Sequence, residues 1–294
     1  MRLLTFKSES EPRHRPSTRA GALIGDLVLD LASAQPFIPS CIREILRRGL
    51  LPEVKNLVDN ASELDRSHFV KASGVSLMPP VTAPGKIICL GLNYAGHAAE
   101  QKKEPPEHPM LFSKASTALT GPYDDIVIPR GIEDVDAEAE LAVVIGSEIK
   151  GVRASEALGF VAGFMVMNDV SARKAQREDR QWFRAKSFDT FAPCGPWIVT
   201  ADELTTFGDL RITQTLNGKV MQDSRTSDLI ADVPHVIEYV SAGMTLEPGD
   251  IISTGTPAGV GVYHDPPVFL AEGDVVEIEI EKIGLLRNRI RTAG

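Results

Sequence analysis

The stretch Asp136-Ala137-Glu138-Ala139-Glu140-Leu141-Ala142-Val143-Val144-Ile145-Gly146 constrains the fold more than any other part of the chain. In an extended strand, residues two apart share a face. Asp136, Glu138 and Glu140 therefore line up, and the same face continues into Ala142 and Val144. The carboxylates run into a segment that reads as buried on both sides, as strands inside covered sheets do. Like charges that close repel, and their burial is costly unless a cation compensates. Hard oxygen ligands of this kind suit Mg²⁺, Ca²⁺ or Mn²⁺. The pattern also fits an exposed acidic strand end, which needs no metal.

Short strands dominate the rest of the chain. They are expected at Leu3–Phe6, Ala22–Leu31, Lys86–Gly91, Met110–Ser113, Glu138–Ile145, Phe160–Met167, Trp197–Thr200, Leu210–Leu216 and Val275–Glu281. Asn217-Gly218 marks a hairpin into a further strand, Lys219–Gln222. Helices are predicted at Ile42–Val58 and at Val233–Ala242, where Val233, Val236, Ile237 and Val240 share a face. Helices so few and irregular do not build a doubly wound sheet. The pattern predicts a mixed, β-rich α+β fold, a roll or sandwich with peripheral helices. Pro79, Pro80 and Pro84 interrupt regular structure. They divide a small N-terminal α/β domain, residues 1–78, from a larger domain, residues 79–294.

Composition narrows the partners. The chain has 294 residues and a net charge of −9, so it repels polyanions and nucleic acid is excluded as a partner. No apolar run approaches the roughly 20 residues that span a bilayer, and no membrane partner is expected. Three widely spaced cysteines, Cys41, Cys89 and Cys194, make neither a disulfide framework nor a zinc knuckle. Met1 to Phe6 turns polar too soon for a signal peptide. Arg13, Arg15 and Arg19 with Ser8, Ser10 and Ser17 faintly suggest a transit peptide, against which Glu9 and Glu11 argue. A cytoplasmic protein is expected, or one of the mitochondrial matrix in a eukaryote. Walker A, HExxH and GxSxG motifs are absent from the sequence. The glycines of Gly255-Thr256-Pro257-Ala258-Gly259-Val260-Gly261 do not open a helix, so a dinucleotide fingerprint is rejected.

Three further segments carry chemistry-bearing residues. The apolar run Phe160–Met167 ends in Asn168-Asp169. Asp169 can supply a third carboxylate, or cap a helix beginning near Ser171. Lys186 sits in a loop rich in aromatics and prolines. There it can stabilise an oxyanion or enolate, or simply be solvated. His97 and Glu100 are one helical turn apart, a spacing that lets a carboxylate orient an imidazole as a general base. An exposed His–Glu pair fits as well.

Taken in order, these segments resemble the fumarylacetoacetate hydrolase family. The resemblance runs from about Lys86 to the C-terminus. It rests on Gly91-Leu92-Asn93-Tyr94 with His97 and Glu100, on Glu138-x-Glu140-Leu141, and on Asn168-Asp169-Val170-Ser171-Ala172-Arg173. Lys186-Ser187-Phe188-Asp189 and Pro248-Gly249-Asp250-Ile251-Ile252-Ser253-Thr254-Gly255-Thr256-Pro257 complete it. It implies a β-sandwich roll, a homodimer, and Mg²⁺ or Mn²⁺ on Glu138, Glu140 and Asp169. It implies that Lys186 faces the substrate oxygens and that Arg173 and the loop Thr254, Gly255, Thr256 bind substrate. It also implies that His97 and Glu100 form a dyad on a lid. Ala137 departs from relatives that often carry an aromatic there; it falls on the opposite strand face from the glutamates. The substrate implied is a small anionic 2-oxo acid, of acylpyruvate or oxaloacetate type, processed through a metal-stabilised enolate. Hydrolysis of a C–C bond and keto–enol tautomerisation both follow from such a site. Alternatives are oxaloacetate decarboxylation, an isomerase or decarboxylase of aromatic catabolism, and a non-catalytic metal-binding scaffold. The N-terminal unit and the tail Gly261–Leu270 look most like a branch associated with oxaloacetate tautomerase activity.

Overall fold

A computed structural model describes residues 1–8 and 18–294. Glu9 to Ser17, weighed above as part of a transit peptide, lie outside the described residues. The chain opens with β1 (Arg2–Ser8), β2 (Arg19–Ile24) and β3 (Leu27–Asp30), paired antiparallel in that order. The single strand expected at Ala22–Leu31 is thus two, folded back at a turn over Gly25 and Asp26. A one-turn α1 (Leu31–Ala34) follows. The one helix expected over Ile42–Val58 is also two, α2 (Ile42–Arg47) and α3 (Leu51–Asp59). Gly49 takes φ +66°, a left-handed conformation that ends a helix, and Pro52 stands in the first turn of the next. β4 (Phe69–Lys71) and β5 (Val75–Met78) then return to the sheet.

Beyond the prolines come β6 (Ile87–Gly91), α4 (Ala95–Glu100), β7 (Met110–Ser113), β8 (Leu119–Thr120) and β9 (Ile126–Ile128). The centre of the molecule is β10 (Val135–Asp136), β11 (Ala139–Ile145), α5 (Ala154–Ala157) and β12 (Val161–Asn168). Next are β13 (Ser171–Ala172), α6 (Arg173–Asp179), α7 (Trp182–Lys186) and β14 (Ala192–Thr200). The Asn217-Gly218 hairpin joins β15 (Arg211–Leu216) to β16 (Lys219–Arg225). Helix α8 (Val233–Gly243), capped by the Asp232 side chain, leads to β17 (Ile251–Ser253), β18 (Val275–Ile280) and β19 (Gly284–Thr292).

One large sheet runs β4-β3-β2-β1-β14-β12-β11-β17-β6-β7, with β5 on β1 and β8 on β14. A second, five-stranded sheet runs β16-β15-β18-β19-β9. The large sheet continues across the proline-rich join, because β1 pairs with β14, Leu3 opposite Ile198. β11 is buried along its whole length. Leu141, Val143 and Ile145 share a core with β18, β19 and α8. Ala142 and Val144 share another with α1, α2 and α3. The architecture is the expected β-rich sandwich roll with peripheral helices. Among the described residues no helix is long and apolar enough to cross a membrane.

Candidate metal centre and cavity

Burying each of Leu141, Val143 and Ile145 stabilises the fold by roughly 1.5–3 kcal/mol, and the strand that buries them carries Glu140 inside. β11 and β12 are antiparallel with Ala139 opposite Asn168 and Glu140 opposite Met167. That register brings Asp169, the residue after β12, against Glu138 and Glu140. One oxygen of each lies within 4.8 Å of the others, and all three residues are buried. Asp136 does not join them. The extended run breaks after it, β10 pairing with β13 instead. Its Oδ1 accepts from Arg173 Nε (2.7 Å) and its Oδ2 from the Val262 N–H (2.9 Å). Ala137 packs into the core on the side shared with β18 and β19.

Buried cations answer most of this charge. Lys186 Nζ donates to Glu138 Oε2 (2.5 Å) and Asp169 Oδ2 (2.7 Å). Arg173 Nη2 donates to Glu138 Oε1 (2.5 Å). Lys114 Nζ, fully buried, donates to Asp169 Oδ1 (2.6 Å). Sequence reasoning passed over Lys114; the one signal for it was a charged residue ending the apolar run Met110-Leu111-Phe112-Ser113. Among the described residues Glu140 has only the Ser253 hydroxyl (2.5 Å) and the Gly255 N–H (3.0 Å), both on Oε2. It pairs with no cation among the described residues.

The titration directions follow. Burial and the neighbouring carboxylates of Asp169 and Glu138 push the Glu140 carboxyl well above its usual range. Burial would raise Glu138 too, but Arg173 and Lys186 overturn it and hold that carboxyl low. Asp136 is raised by burial to about 6 despite Arg173. Four buried carboxylates thus face three buried cations, Lys114, Lys186 and Arg173. The uncompensated charge falls on Glu140, beside two further carboxylate oxygens. An all-oxygen donor set with one negative charge in excess fits a hard divalent cation, so this buried acidic triad could hold one.

A cavity of about 210 Å³ joins Glu138 and Glu140 to Lys186, Arg173, His97 and Thr256. Lys103 and Arg177 add two more cations to its lining. Of the expected substrate loop only Thr256 lines the cavity, its hydroxyl accepting from Gln222 Nε2 (2.8 Å). Thr254 Oγ donates to the Leu141 carbonyl (3.0 Å), and the Gly255 N–H is held by Glu140. On α4, His97 Nδ1 meets Glu100 Oε1 at 2.6 Å, and Gln101 Nε2 lies 2.7 Å from His97 Nε2. Glu100 thus holds Nδ1, which leaves Nε2, on the Gln101 amide, as the ring nitrogen able to exchange a proton. A larger cleft of about 780 Å³ has only Gly91 in common with this lining and contains none of the carboxylates of the triad.

The structure of maleylpyruvate hydrolase from Sphingobium sp. SYK-6, solved with manganese(II) and pyruvate, superposes with a TM-score of 0.81 at 30% identity, over 100% of both chains. Fold and site are those of an enzyme. The chain belongs to the fumarylacetoacetate hydrolase family: residues 86–291 match its C-terminal domain, described as Fumarylacetoacetate (FAA) hydrolase C-terminal. The mitochondrial oxaloacetate tautomerase Fahd2a of Rattus norvegicus is 40% identical, covering 99% of this chain and 91% of that protein. The mitochondrial oxaloacetate tautomerase FAHD2A of Bos taurus is 43% identical over 90% of this chain and 84% of its own.

Proposed function

We propose that the chain catalyses keto–enol tautomerisation of a small 2-oxo dicarboxylate of the oxaloacetate type, with Mg²⁺ or Mn²⁺ held by Glu138, Glu140 and Asp169. The observation that carries this is the small cavity, in which an anionic cluster for a dication, its carboxylates held by Lys186 and Arg173, adjoins Lys103 for an anionic group. At about 210 Å³ it lies below the roughly 300–1,000 Å³ of pockets for drug-sized ligands, which suits a short acid. The two tautomerase relatives, similar over most of their length, support the same reaction.

When bound, the cation supplies Lewis acidity toward a 2-oxo oxygen. Lys186 places an ammonium where negative charge develops on that oxygen as the enol forms. Tautomerisation moves one proton between C3 and the 2-oxo oxygen; His97 Nε2 takes it from one and delivers it to the other, once Gln101 gives up its hold on that nitrogen. Glu100 fixes the tautomer and stabilises the imidazolium in between. Arg173 fixes Glu138 and Asp136, Arg177 holds Asp134 (2.7 Å), and Lys103 is placed to hold the far carboxylate.

A second reading, hydrolysis of an acylpyruvate, is favoured by the same His97–Glu100 pair, which could activate water, and by the likeness to maleylpyruvate hydrolase. Products separate the two. A tautomerase consumes enol-oxaloacetate and exchanges C3 hydrogens without forming pyruvate. A hydrolase releases pyruvate from an acylpyruvate and puts solvent oxygen into the departing acid. Pyruvate formed from oxaloacetate itself marks decarboxylation. Should no reaction exceed the metal-only background, and His97→Ala change nothing, the proposal fails. The homodimer expected above belongs to the same proposal; sizing chromatography should give twice the 31.8 kDa of one chain.

A further inference from the structure

The segment from Gly259 to His264 touches both halves of the site. The Gly259 N–H donates to Glu100 Oε2 (2.8 Å), and Glu100 holds His97 with its other oxygen. The Val262 N–H donates to Asp136 Oδ2 (2.9 Å), and Asp136 is joined through Arg173 to Glu138. The segment is also fixed on itself. The Tyr263 N–H donates to the Val260 carbonyl and the Val268 N–H to the Gly261 carbonyl, each at 2.9 Å. Gly261 approaches Val268 so closely that a Cβ there would lie 2.2 Å from the Val268 carbonyl oxygen. His264 Nε2 lies 3.0 Å from the Gly259 carbonyl oxygen.

What this anchored segment presents to the cavity is the ring of Tyr263. It stands edge-on to the imidazole of His97, with centroids 5.8 Å apart and planes at 69°. Tyr263 remains 41% exposed, so it is a wall at the opening rather than part of the core. The mechanism above gives it no role. A 2-oxo acid bound with its carboxylate and 2-oxo oxygen at the triad must bring C3 to His97. Carbon atoms beyond C3 then run past His97, toward the ring beside it.

We propose that Tyr263 is a specificity-determining residue, whose ring limits the length of the acid the cavity accepts. This rests on the 2-oxo acid reading of the site. The hydroxyl is not required; the ring is the barrier.

Binding tests it without turnover. Calorimetry on Mn²⁺-loaded wild type, Tyr263→Phe and Tyr263→Ala would use oxalate and straight-chain 2-oxo acids from pyruvate to 2-oxooctanoate. Wild type and Tyr263→Phe should bind the short acids and lose affinity for the long ones at the same chain length. An ill-fitting methylene in a pocket discriminates by roughly 10–200-fold, so Tyr263→Ala should bind the longest acids at least about tenfold more tightly than wild type. Oxalate, which reaches only the triad, should bind all three proteins alike, and it verifies that the variants are folded. An unchanged length limit in an oxalate-binding Tyr263→Ala protein overturns the proposal. So does a Tyr263→Phe protein that behaves as the alanine variant, since the hydroxyl would then be the barrier. Failure of wild type to bind oxalate or any 2-oxo acid would overturn the functional reading, and this inference with it.

Discussion

Replacing Glu140 by Gln should stabilise the metal-free protein and abolish its response to metal. Glu140 is the one carboxylate of the cluster without a cationic partner among the described residues, and its neighbours' oxygens lie within 4.8 Å. Two unit charges at that separation repel by about 3.5 kcal/mol at an effective dielectric of about 20. Glu138 and Asp169 each contribute such a repulsion, and Lys186 returns one attraction of similar size. A net repulsion of about 3.5 kcal/mol therefore remains, which relaxation and partial protonation reduce to a cost on the order of 1–3 kcal/mol. A glutamine carbonyl can still accept from Ser253 and Gly255, and its amide can donate to the facing carboxylates. The chelator-treated variant should melt higher than wild type, by roughly 2–4 °C for each kcal/mol. The sign of the pH dependence is fixed. Glu140's folded-state pKa is raised above the ordinary 4.5, so its contribution is fully present below that pH and lost as pH rises through the raised value. The advantage of the variant should grow toward neutral pH and vanish near the ordinary value. Metal reverses the order, because wild type gains about 4.1 kcal/mol at a thousandfold excess over Kd and the variant gains nothing. Differential scanning calorimetry with chelator and then with Mn²⁺ measures both. A metal-free variant that melts below wild type, or one that still shifts with Mn²⁺, would refute this account of the charge.

Lys114→Met leaves Asp169 with half of its counter-charge; breaking a buried pair in this way typically costs about 3–5 kcal/mol, readable as a lowered urea midpoint, and a loss below about 1 kcal/mol would show that Lys114 is not the partner seen here. His97→Ala should lower turnover by on the order of 10²–10⁴ while Mn²⁺ binding, measured by calorimetry, stays unchanged. Residues 102–109 form neither helix nor strand, so oxalate with Mn²⁺ should slow their hydrogen exchange, and unchanged exchange would count against a lid. At the start of α8, His235 Nδ1 contacts Asp232 Oδ1 at 2.6 Å and its pKa is raised by that hydrogen bond; Asp232→Asn should move the NMR titration of His235 down, and no movement would deny the pair in solution.

The sequence carried the features that burial alone dictates. β11 and β12 were legible because both faces of each are apolar, and the Asn217-Gly218 hairpin because its turn chemistry is local. What it hid was set by distance along the chain or by competing local signals. β19 was missed because arginines alternate with the inward Leu286, Asn288 and Ile290, and the charges mask the period of two. The line Asp136, Glu138, Glu140 followed from strand geometry, yet one break in the ladder turns Asp136 to Arg173, and Asp169 becomes the third member of the triad. Lys114 and Asp169 are 55 positions apart, and no periodicity could have joined them. Arg173 shows the limit most clearly. The resemblance implied that it binds substrate, and it does line the cavity, but its guanidinium is bonded to Asp136 and Glu138. A residue's presence in a motif says that the site needs its chemistry. Whether that chemistry is directed at a ligand or at the carboxylates that receive one depends on which oxygens the fold leaves without a cation, and here that is Glu140.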